Sequence, residues 1–236
     1  MCSVQVVYNS IMSKQRLSIS ALIIVAAGIL FLAVLKIQEV KRFYDGVFRL
    51  SEDQVRAALQ DIPTTCNQIM KCSLIPGDIL IRRYITSRTK TMDMFGHVYF
   101  THAAFYIGSD QIVEAIGTEK DPQDEVQITS LSKSDWANTD VTDFVIIRPK
   151  KYQGKLDSII GDFKDIAADP EYRFGFPGDG PKRTTCADII FKQLVDKGVV
   201  NMPDAPNIIT PDYLFWMAKN DTEKFEIVGY GSKSAQ

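Results

Sequence analysis

Thr101-His-Ala-Ala-Phe-Tyr-Ile-Gly-Ser-Asp-Gln-Ile-Val-Glu-Ala-Ile116 is the stretch whose reading decides the architecture. Two apolar runs rich in β-branched and aromatic residues flank Gly108-Ser-Asp110, the pattern of a β-hairpin. Strand alternation puts His102, Ala104 and Tyr106 on one face and Ala103, Phe105 and Ile107 on the other. The small alanines leave room for another group to approach the imidazole; a core histidine with a satisfied ring is the competing reading. A three-residue loop over 108–110 aligns Ile107 with Gln111 and Ala104 with Glu114. Glu114 then shares the face of His102 at the diagonal position, about 7–8 Å away between backbones. A two-residue loop would send Glu114 to the opposite face, as an exposed edge carboxylate.

Working outward, Pro76-Gly77-Asp78 is a turn signal before the apolar run Ile79-Leu-Ile81, and Val126-Gln-Ile128 and Asp143-Phe-Val-Ile-Ile-Arg148 add strands. The period then changes. Leu156 to Ala167 reads as a helix, 169–185 as a Gly/Pro-rich loop, and Ala187 to Lys197 as a helix stopped by Gly198. Thr210-Pro211 is an N-cap with proline at the first helical position, opening a helix through Met217, and Phe225-Glu-Ile-Val228 closes the series as a strand. Upstream, Ser51-Glu-Asp-Gln54 is a capping-box pattern for a helix to about Asp61, ended by Pro63. Strands first and helices later predict an α+β fold, an antiparallel sheet packed on helices.

The remaining N-terminal part is different in kind. Leu17 to Leu35 contains no charge; at ~1.5 Å per residue such a run crosses a hydrocarbon core of about 30 Å. A cleaved signal peptide is the rival, but its apolar region is usually shorter, and Lys36-Ile-Gln-Glu-Val-Lys-Arg42 comes next in place of a small-x-small site. The expectation is one N-terminal transmembrane helix over 17–36 with the bilayer as its partner, followed by a juxtamembrane helix from Glu39 to Arg49. The Lys/Arg count after the span favours a cytoplasmic bulk, whereas the short basic tail before it is the layout that exports the C-terminal domain. Cys66 and Cys72 form a potential pair of the kind an oxidising compartment tolerates, which favours an extracytoplasmic domain, periplasmic or extracellular.

The 236 residues carry a net charge of −2 with mixed signs, so no basic footprint for nucleic acid exists. The only two histidines, His97 and His102, stand apart from any close Cys or His spacing, so neither a metal nor another cofactor is expected. Cys186 follows Lys182-Arg-Thr-Thr185 and falls in the first turn of the helix that continues as Ala187-Asp-Ile-Ile-Phe191. Backbone N–H groups and the dipole at such a position favour a thiolate. The competing reading is a small buried hydrophobe. His97, in a loop after Phe95-Gly96, reads as a surface residue.

Gly77-Asp78 before an apolar strand, His102-x-Ala-x-Tyr-Ile-Gly108, the Val113-Glu-Ala115 strand and a later cysteine-opened helix occur here in that order. Together they resemble the circularly permuted NlpC-type papain-fold hydrolases, the YiiX group, in which the histidine strand precedes the cysteine helix. The resemblance runs from about Pro76 to Val228, including Thr210-Pro-Asp-Tyr-Leu214. It implies a permuted papain-like domain, which with the readings above divides the chain into a tail (1–16), the anchor (17–36), a helical linker (37–75) and the hydrolase domain (76–236). It also implies a catalytic set of Cys186, His102 and Glu114: nucleophile, general base and the acid that orients the ring. The implied reaction is hydrolysis of an amide through a Cys186 thioester, on cell-wall peptides or on N-acyl or lipid-linked amides. Acyl transfer among lipids is the alternative, favoured if Phe95, Tyr99, Phe174 and Phe176 line the cleft; a tethered binding module without turnover is another. The sequence departs from the family at Cys186-Ala187-Asp188, where Cys-Ser-Glu is frequent, so that Asp188 would stand in the acidic place with a shorter arm. It departs again at Tyr172-Arg-Phe-Gly-Phe176, where a Tyr-Asp pair is usual.

Overall fold

The alternation read from the sequence is realised as a sheet buried on both faces. The computed structural model describes residues 27, 29–38, 40–41, 50–84, 98–118, 121–137, 141–152, 154–175, 180–201 and 205–232. Strands β1 (Ile79–Tyr84), β2 (His102–Gly108), β3 (Gln111–Thr118), β4 (Asp121–Ser130), β5 (Val141–Pro149) and β8 (Phe225–Ser232) form a six-stranded sheet of order β4-β3-β2-β1-β5-β8. Every neighbouring pair is antiparallel. One face, with Ile79, Ile81, Ala103, Phe105 and Val145, packs in one cluster with Phe163 of α2 (Leu156–Ala168), Ile190 of α3 (Cys186–Asp196) and Leu214 and Phe215 of α4 (Pro211–Asn220). The other, with Leu80, Ala104, Ile112 and Ile146, packs with Ile69, Leu131 and Trp136 from one-turn 3₁₀ segments. The α+β class and the antiparallel sheet on helices are therefore present.

Helix α1 (Glu52–Gln60) begins at Ser51 with both bonds of the capping box: Gln54 N donates to Ser51 Oγ at 3.3 Å, and Ser51 N to Gln54 Oε1 at 2.8 Å. Val55, Ala58 and Leu59 join the same core as the sheet and helices. The segment assigned to a linker is in this part a piece of the domain. Inside the 169–185 loop lies a feature the composition did not signal, a short parallel pair of β6 (Arg173–Phe174) and β7 (Arg183–Thr184). Phe174 reaches β3 there: a Cβ on Gly117 would lie 2.1 Å from its ring, so the approach needs glycine.

The hairpin differs from expectation in an instructive way. Its turn has two residues, Ser109 and Asp110, with φ of 51° and 62°. Positive φ at both central positions matches the twist of the flanking strands. Asp110 is held by Ser130 Oγ and Ser132 Oγ, each at 2.6 Å, and by Ser132 N at 3.0 Å. A register shift between Tyr106 and Gly108 absorbs one residue. Phe105 therefore pairs with Val113 and Tyr106 with Ile112, and continuation of that register sets Glu114 opposite Ala104.

The expected transmembrane helix is corrected. Among the described residues no helix is long and apolar enough to cross a membrane. Residues 29–38 are helical. The other residues of the expected span, 17–26 and 28, lie outside the described ones, as do the tail 1–16 and most of the expected juxtamembrane helix. Residues Met1–Arg42 and Phe43–Gln236 are separate units.

Cys66 and Cys72 form a disulfide with Cα atoms 5.5 Å apart, and Thr65 N donates to the Tyr230 carbonyl of β8 at 3.1 Å beside it. A loop this short restrains little unfolded-chain entropy. Replacing both cysteines with serine should therefore lower the unfolding free energy by about 2 kcal/mol or less, measured by urea titration against the oxidised parent. A loss well above that would mean that the bridge sustains native contacts as well.

Candidate active site

Helix α3 starts at Cys186. Thr185 is its N-cap, with Oγ1 accepting from Asp188 N at 3.2 Å. Cys186 thus occupies the first helical position, where backbone N–H groups lack intrahelical partners. It is 7% exposed and is a free thiol. Asp188 is committed to structure: it accepts from Thr185 Oγ1 at 2.9 Å and from Ile209 N at 2.9 Å, tying α3 to the segment before α4. Burial raises its pKa, against those bonds.

His102 opens β2, and its side chain is 14% exposed. Nε2 lies 2.8 Å from Glu114 Oε2, and the Cys186 thiol is near enough to act on the charge of the ring. Nε2 is thus committed to Glu114. Glu114 is 2% exposed. Its Oε2 also accepts from Trp136 Nε1 at 3.0 Å, and its Oε1 from Thr129 Oγ1 at 3.1 Å. Of the three residues picked from the sequence, His102 and Glu114 are joined by a hydrogen bond, and Cys186 acts on the imidazole through its charge. His97, Phe95 and Phe176 lie outside the described residues. Tyr99 is buried, donating to Asp143 Oδ2 at 2.8 Å. Phe174 covers Gly117, so among the described residues these aromatics give no sign of a lipid cleft.

Four residues around the site escaped the sequence reading. Trp136 and Thr129 carry no local signal, because their meeting with Glu114 is made by the β3–β4 pairing and the 3₁₀ turn after β4. Arg82 lies opposite His102 in the β1–β2 register. Asp212, in the first turn of α4, accepts from Tyr99 N and Phe100 N at 2.7 Å each, so that α4 holds the segment leading into β2. A cavity of about 250 Å³ beside the start of α3 is lined by Arg183, Asp188, Phe191, Lys192 and Ile209, among others. Among the described residues no cluster of three or more His, Cys, Asp or Glu side chains could hold a metal ion.

Burial works against a charged His102, but the Cys186 and Glu114 charges and hydrogen bonds outweigh it and push its pKa up to about 9. Burial likewise opposes ionisation of Glu114, and the bonds and charges of His102, Trp136 and Arg82 bring it down to about 2. Burial takes Asp212 up to about 7 against its two N–H bonds. The consequences for stability come by linkage. The His102 contribution is complete below its ordinary 6.5 and lost as pH rises through about 9. The Glu114 contribution is present above 4.5 and lost as pH falls through about 2. Asp212, favoured in its protonated form, contributes below 3.8 and loses that contribution as pH rises through about 7. The unfolding free energy should therefore decline between about pH 6.5 and 9, and His102→Gln should flatten the upper part of that slope in denaturant titrations across the range. An unchanged slope in the variant would remove His102 as its source.

Compared with known protein families and with curated proteins, the chain matches none.

Proposed function

We propose that this chain is a cysteine hydrolase of the permuted papain-like kind, cleaving an amide through a Cys186 thioester. The observation that carries the reading is His102 bonded at 2.8 Å to a buried Glu114, together with a buried free Cys186 at a helix N-terminus. A raised His102 pKa keeps a proton on the imidazole, ready for a leaving amine. In the proposed cycle Cys186 Sγ attacks the carbonyl carbon, and the Cys186 backbone N–H meets the developing oxyanion. Collapse breaks the C–N bond as His102 gives its proton to the departing nitrogen. Water then attacks the thioester, His102 taking its proton, and the acid leaves as Cys186 and His102 recover their starting forms. Glu114 stays ionised throughout and orients the ring.

The substrate class proposed is a cell-wall peptide or an N-acyl or lipid-linked amide. An oxidising compartment for the domain is supported by the Cys66–Cys72 disulfide. The test uses an activated acyl ester, with intact mass and peptide mapping read in the first turnover. An acyl group on Cys186, formed by the parent chain and not by His102→Ala, is expected. No acyl-Cys186 under any condition of pH would sink the hydrolase and leave a binding module.

A further inference from the structure

Arg82 is 5% exposed. A guanidinium buried this deeply ordinarily has a carboxylate partner, yet among the described ion pairs none involves Arg82, and its Nε–H has no acceptor. The cation is instead stacked between two rings, Cζ lying 4.2 Å from the centroids of both Tyr84 and Trp136. Nη1 donates to Tyr84 Oη at 2.9 Å, and Tyr84 Oη donates to the Asp135 carbonyl at 2.7 Å, on the turn that carries Trp136. The Trp136 indole then donates to Glu114 and lies 5.8 Å from the His102 ring, centroid to centroid.

We propose that Arg82 is a positioning residue of this site: through Trp136 and its own charge it keeps the Glu114 carboxylate ionised and aimed at His102 Nε2. The inference rests on the Cys186–His102 reading above. The cation–π contact with Trp136 restrains the indole plane, and with it the N–H that Glu114 accepts, while the contact with Tyr84 holds the guanidinium in place. The charge acts in the same direction, because a buried cation favours the ionised form of nearby acids. The ionisable groups close enough to feel its charge are Tyr84 on β1, Glu114 on β3, Asp135 on the 3₁₀ turn and Cys186 on α3, with His102 opposite on β2. Its depth keeps it off substrate, so it works through its neighbours. Burying a cation with no ion-pair partner among the described residues is costly, and electrostatic support of His102 and Glu114 gives that cost a purpose.

The test is the pH dependence of Cys186 alkylation by iodoacetamide in the full chain, resolved by peptide mapping, for the parent, Arg82→Met, Arg82→Lys, Trp136→Phe and His102→Ala. Arg82→Met and Trp136→Phe should move the acid limb upward by about one pH unit, the lower end of what a neighbouring charge does. Arg82→Lys, which keeps the charge, should recover at least half of that shift. Thermal unfolding is read in parallel, since a purely structural role lowers the melting temperature without moving the limb. An Arg82→Met profile that superimposes on the parent overturns the inference; should that variant not fold, an unmoved Trp136→Phe profile does the same. Indifference of the parent profile to His102→Ala would instead remove the hydrolase reading and this inference with it.

Discussion

Cys186→Ala should abolish turnover while leaving the fold intact, because the two side chains differ by one sulfur atom. His102→Ala should lower the rate at least about a thousandfold, as removal of a catalytic base does where nucleophile and base act as a unit. Glu114→Gln should fall between, since it orients the imidazole without touching sulfur. The same order should appear without a known substrate. An unassisted thiol, with a pKa of about 8.5, is almost wholly protonated at pH 6 and alkylates slowly there. Cys186 should alkylate readily at that pH in the parent chain, slowly in His102→Ala and normally in a His97→Ala control. Rates that ignore the His102 change would end the catalytic reading, whatever the geometry suggests.

The largest effect on stability is expected at Asp78. Its carboxylate is fully buried and accepts three bonds: from Arg148 Nε at 2.7 Å, Arg148 Nη2 at 2.8 Å and Ile75 N at 2.9 Å. It joins the turn entering β1 to β5, next to the Gly77 carbonyl that accepts from Tyr152 Oη. Asp78→Ala would strand the guanidinium and an amide together. Breaking a buried pair from one side costs about 3–5 kcal/mol; the Arg148 side chain is 26% exposed, so the lower end, about 3 kcal/mol, is expected. Adding Arg148→Met should return part of that loss, because the unpaired cation is then gone. Urea titrations of the two single variants and the double variant measure this. An Asp78→Ala loss below about 1 kcal/mol would place the pair with ordinary surface bridges.

What the sequence determined by itself is local. Ser51-Glu-Asp-Gln54 and Thr210-Pro211 announce helix starts because capping is made by side chains and amides within one turn. The alternation from His102 to Ile107 settles which residues share a face, since a strand has a period of two. The α+β class came from those periods. The tertiary structure decided everything that depends on partners far along the chain. The side of the sheet on which Glu114 stands hung on one residue of register, and a two-residue turn with a bulge supplied it where a longer loop was expected. The apolar run 17–35 read as a membrane span on hydropathy alone, yet no described helix is long and apolar enough to cross. The pair β6–β7 lies in a loop by composition because two residues per strand leave no periodic trace. Nothing near Glu114 in sequence signals Trp136, nor does anything near His102 signal Arg82. Cross-strand pairing and cation–π stacking bring those groups together, and such contacts depend on distance in space rather than on any local pattern.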